Sequence, residues 1–120
     1  MIQKSATEAV RPPGVGDTPV CGAVRAGERV FLSGANALQK DGGVAGLGDP
    51  VAQTEAALDR LDQSLSAIGG SLANLTKLIT CVVDRGYRAD VYRTIARRLP
   101  NVRPVSTGLV VFLISSIPPP

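Results

Sequence analysis

At 120 residues the chain is the length of one ordinary domain, and its 44% hydrophobic and 19% charged residues are those of a globular protein able to fold around its own core without disulfides or a structural metal. Thirteen basic against ten acidic residues leave a net charge of +3, too slight to imply a nucleic-acid partner, and 3% aromatic content supplies few rings for stacking on single-stranded bases. The absence of His removes Ser-His-Asp and Cys-His nucleophiles and imidazole-based zinc sites, while two cysteines are too few for an all-thiolate one.

Along the chain, Arg11-Pro12-Pro13-Gly14-Val15-Gly16 resists both helix and strand. Residues 1–17 therefore read as a leader, with structure beginning near Val20, a single domain over 18–117 and a proline tail over 118–120. The leader has no apolar run of the kind a secretion signal carries, and the apolar run Leu109–Ile114 is too short to span a membrane as a helix. A cytoplasmic protein is expected. Val20 to Arg25 and Arg29 to Gly34 have the spacing of a hairpin turning through Ala26-Gly27-Glu28. Lys40 to Gly48 is a glycine-rich loop without a phosphate-binding pattern, so its glycines are expected to serve flexibility.

Asp49 as N-cap, Pro50 at the first position and Gly69-Gly70 as a stop mark the first helix, with Val51, Thr54, Leu58, Leu61, Leu65 and Ile68 forming one apolar stripe. Leu75 to Val83, rich in β-branched residues, predicts a strand. A second helix from about Tyr87 to Arg98 ends before Pro100, and Val102 to Ile114 predicts a long final strand. Cys21 and Cys81, far apart and in apolar surroundings, are expected to be buried, reduced thiols. Arg85, Arg88, Arg93, Arg97 and Arg98 read as a solvated helix face, or alternatively as an anion-attracting rim.

The order β-β-α-β-α-β indicates an α+β domain, a two-layer sheet with two helices on one face. Both alternating faces of Cys81-Val82-Val83 and of Leu109 to Ile114 are apolar, yet two helices cover only one side. The uncovered side calls for a partner, and a second copy of the chain is the economical one.

Five ordered segments, Ala23 to Gly27, Val30 to Gly34, Gly48 to Thr54, Ala67 to Leu72 and Arg103 to Gly108, resemble the Rid family, also called YjgF or RidA-like and once labelled L-PSP ribonucleases. The resemblance runs from about Pro19 to Val111. It implies a chorismate-mutase-like fold, a homotrimer with small-molecule clefts between subunits, and, in the deaminase branch, hydrolysis of enamines or imines to keto acids without metal or cofactor. There an arginine fixes the substrate carboxylate and a glutamate near the C-terminus positions the attacking water.

Carried over, the family's leading tyrosine falls at Val20, its serine at Ser33, its helix asparagine near Tyr92, its anchoring arginine at Ser106 and its cysteine at Gly108. The glutamate would fall just past Pro120, which reads as loss of a last strand by truncation rather than as a naturally short variant. Arg103 is no substitute for the arginine, since strand alternation turns it to the opposite face from Ser106. No catalytic residue is assigned. The candidate cleft residues are Ser33, Gly34, Tyr92, Ser106 and Thr107, the last two as a small polar pocket, with Arg85 and Arg88 as alternative anion contacts; no metal ligands are expected. The expected function is a RidA-like small-molecule hydrolase, weak or inactive on keto-acid imines. A non-catalytic trimeric metabolite-binding module is the alternative, and neither a membrane nor a nucleic-acid partner is expected.

Overall fold

In the structure, a computed structural model, residues 7–10, 22–39 and 41–112 are described. The elements are β1 (Thr7–Val10), β2 (Ala23–Ala26), β3 (Arg29–Leu32), α1 (Pro50–Ser66), β4 (Lys77–Val82), α2 (Arg88–Arg98) and β5 (Val105–Val110), with short 3-10 turns at Leu72–Asn74 and Arg85–Tyr87. This is the expected α+β arrangement with two corrections. A strand precedes Val20: the exposed edge of β2 takes up β1, antiparallel, pairing Thr7 with Ala26 and Val10 with Ala23. The strands also hydrogen-bond as two sheets rather than one, antiparallel β1-β2-β3 and parallel β4-β5. The helical layer spans the break, because Leu32 of β3 and Leu78 of β4 pack against one core of Leu65, Leu72 and Leu99.

Helix α1 starts where its caps dictate. Asp49 accepts from the backbone N–H groups of Val51 and Ala52, and Leu58 and Leu65 on the apolar stripe are buried. The loop before it is less free than its glycine content suggests: at Gly46, φ +65°, a Cβ would lie 2.5 Å from that of Ala52, so glycine is needed for the loop to close on the helix. Gln53 fastens the same turn by donating to the Gly46 carbonyl at 3.0 Å.

β4 begins later than expected because Ser71 caps the 3-10 turn, which puts Leu72 into the core before the chain extends. β5 begins after Pro104, which lacks an N–H; Val105 donates the first bond, to Thr76, at 2.9 Å. The part of the expected strand beyond Phe112, like the proline tail, lies outside the described residues.

The two faces of β4 differ as predicted for a sheet covered on one side. Leu78, Thr80 and Val82 are half-buried, whereas Lys77, Ile79 and Cys81 are exposed. In register beside the exposed set lie Val105, Thr107 and Leu109. Cys81 is thus a free, exposed thiol rather than a buried one, since among the described residues no helix or strand lies over that face; Cys21 lies outside the described residues.

Candidate functional site

On the helix side of the β4-β5 pair lies a cleft of about 230 Å³, lined by Thr80, Val82, Arg85, Arg88, Tyr92, Gly108, Leu109 and Val110. Its placement follows from register. Ser106 lies beside Leu78 and Gly108 beside Thr80, so Ser106 and Gly108 turn toward the helices and Thr107 turns away. The expected Ser106–Thr107 pocket is therefore corrected: strand alternation separates the two side chains.

Tyr92, half-buried on α2, reaches across to β5. Its hydroxyl and that of Ser106 share a 3.2 Å hydrogen bond. The approach is possible only because position 108 lacks a side chain, for a Cβ there would come within 2.7 Å of the Tyr92 Oη. Residues 92, 106 and 108 are one fitted unit, and the phenol covers the place on β5 where the resemblance sets a guanidinium.

The arginines divide into two groups. Toward α1, Arg97 and Arg98 both bind Glu55, and Arg98 also binds Asp59 at 2.7 Å. Hydrogen bonds from Arg97 and then Arg98 hold the Glu55 carboxyl below its ordinary range. Arg93 pairs with Asp90 along the helix. These three are bridged, not merely solvated. Toward the cleft, Arg85 and Arg88 make no ion pair among the described residues, and Arg88 lies over the Tyr92 ring, 5.2 Å from its centroid. Asp84, the acid next to them in sequence, accepts the Gly86 N–H at 2.7 Å as the cap of the 3-10 turn.

Of the residues singled out in the sequence, Arg85, Arg88 and Tyr92 thus meet in one cleft, with Ser106 joined to it through Tyr92. Ser33 and Gly34 do not: they are exposed beyond β3, where the Ser33 N–H donates to the Gly22 carbonyl, outside the cleft lining. Sequence reasoning missed the wall formed by Thr80 and Val82; the pairing of β4 with β5 was the signal needed. Among the described residues the cleft lining holds no carboxylate, thiol or imidazole. Among the described residues no cluster of three or more His, Cys, Asp or Glu is gathered as a metal site requires, and no helix is long and apolar enough to cross a membrane.

Residues 18–114 match the family model described as Endoribonuclease L-PSP. The chain belongs to that family. Solved structures place it among the YjgF/UK114/RidA proteins of the L-PSP family. A protein of unknown function from Pseudomonas aeruginosa is 25% identical, with 91% of this chain and 83% of that one covered and a TM-score of 0.76. A member of the highly conserved YjgF/YER057c/UK114 family from Mycobacterium tuberculosis is 25% identical over 90% of this chain and 87% of that one, with a TM-score of 0.74. RidA from an Antarctic Psychrobacter shares the fold at 22% identity, covering 92% and 84%, with a TM-score of 0.73. No curated protein matches this L-PSP family chain by sequence.

Proposed function

We propose that this L-PSP family chain assembles as a homotrimer, binds a small metabolite in the Tyr92 cleft, and hydrolyses keto-acid imines weakly or not at all. The observation that carries the reading is the Tyr92–Ser106 hydroxyl pair at 3.2 Å. It replaces with two neutral groups the cation that would hold a substrate carboxylate against β5. Binding over hydrolysis is supported by the described lining, in which Thr80, Arg85, Arg88 and Tyr92 supply hydroxyls and cations rather than a carboxylate base to activate water at a C=N carbon. Assembly is supported by the face of β4 and β5 turned from the helices, where Ile79 is 62%, Val105 67% and Leu109 48% exposed. Three exposed apolar side chains on one sheet face, set diagonally about Thr107, are what an interface between copies uses.

Two measurements test this. Ammonia release from freshly generated 2-iminobutanoate should not exceed the spontaneous rate when purified protein is added; robust acceleration would establish a hydrolase. Amide spectra recorded against a panel of small neutral and anionic molecules should show saturable shifts at residues 80–92 and 108–110. A panel that leaves those residues unmoved would remove the cleft as a ligand site.

A further inference from the structure

Resting on that reading of the cleft, we infer that its ligand is a small dianion, a short dicarboxylate, held by Arg85 and Arg88. Among the described residues, three acidic groups pair with arginines of α2, Glu55 and Asp59 with Arg97 and Arg98 and Asp90 with Arg93, while Asp84 caps the turn through the Gly86 N–H and makes no ion pair with Arg85 or Arg88. Two guanidinium groups remain, three residues apart across the entry to α2, and both line the same cleft. Residues at that spacing stand on one side of a helical turn, so the two positive charges face the same small volume with no acid among its lining residues.

Geometry adds to the charge count. Arg88 lies over the Tyr92 ring, 5.2 Å from its centroid, which holds the guanidinium at the cleft wall, and a guanidinium is the cation suited to grip a carboxylate through two parallel hydrogen bonds. The part of the cleft formed by one chain, about 230 Å³, has room for a ligand of a few carbon atoms. Val82 and Val110 give that short carbon chain an apolar wall, which an inorganic anion would not use. One carboxylate answers each arginine, and a single negative charge leaves one of them uncompensated.

The test is titration of the intact protein at low salt with succinate, butanoate, butanamide and inorganic phosphate, followed by amide shifts at residues 80–92 and 108–110. Succinate is expected to bind about fivefold or more tightly than butanoate, the size of one exposed ion pair. Arg85→Gln and Arg88→Gln, both at exposed positions and therefore compatible with the fold, should each bring succinate down to the butanoate level. Equal affinity for succinate and butanoate overturns the dianion assignment, and tighter binding of phosphate overturns the dicarboxylate. Unchanged succinate affinity in both variants overturns the role of the arginines. Shifts with butanamide but with no anion refute this inference while leaving the cleft a ligand site, whereas silence with all four probes refutes both.

Discussion

Replacing Gly108 by Ala would set a methyl group 2.7 Å from the Tyr92 Oη, so the phenol must swing aside and give up its bond to Ser106. That bond is neutral and partly exposed, worth about 0.5–1 kcal/mol. The displaced ring adds about 0.5–1.5 kcal/mol of off-rotamer cost. Relief of the glycine entropy penalty returns about 0.5–1 kcal/mol, so the single substitution should destabilise by about 1 kcal/mol. Removing the hydroxyl first reverses the sign. In Tyr92→Phe the nearest ring atoms stand 3.7 and 3.8 Å from the new methyl, ordinary contact, and Gly108→Ala should then stabilise by about 0.5–1 kcal/mol. The assay is a double-mutant cycle by urea unfolding, all four proteins at one concentration because association adds a mass-action contribution. A coupling of about 1.5 kcal/mol is expected; additivity within about 0.5 kcal/mol would refute the interlock of the two residues.

Ser106→Arg should not create imine hydrolysis, because it restores a cation on β5 while supplying no carboxylate to position water; ammonia release above background from this variant would contradict that. Arg98→Ala removes a cation shared by Glu55 and Asp59 and should lower the melting temperature by roughly 4 °C, for about 1 kcal/mol of ion-pair network, with little change in cleft titrations. The Glu55 contribution carries a pH signature: its folded carboxyl lies below the usual 4.5, so the stability it confers is complete above that value and disappears as pH falls through the lower folded one. Melting curves of wild type and Glu55→Gln should therefore converge on acidification below about pH 4.5 and stay apart at neutral pH. Ile79→Lys places a charge on the exposed sheet face and should turn a sedimenting trimer into monomers; a wild-type monomer at micromolar concentration would contradict the assembly.

What the sequence made legible was local or patterned. Asp49, Pro50 and the stripe through Leu58 and Leu65 located α1, and apolar residues on both faces of Cys81-Val82-Val83 and of the final strand announced a face that two helices leave bare. Three features depended on partners distant in the chain. β1 forms because β2 offers an edge, a fact absent from residues 7–10 themselves. Cys81 is exposed because, among the described residues, both helices lie on the other side of β4. The fitting of Tyr92 to Gly108 needed the register of β5 on β4, which brings residue 108 under a side chain sixteen positions earlier; the family resemblance alone makes Gly108 only a lost cysteine.

Helix α2 divides its labour along its length. Its C-terminal turn is tied to α1 by carboxylates, and its N-terminal turn faces the cleft with its cations uncommitted. Ten residues of helix separate Arg88 from Arg98, about 15 Å, which exceeds the distance over which charges in physiological salt feel one another. Changes at one end are therefore energetically silent at the other. A lineage carrying this helix is free to exchange Arg85, Arg88 or Tyr92 and so acquire a new ligand without endangering the fold, and the chemistry of the cleft should diverge faster among its descendants than the clamp between the helices.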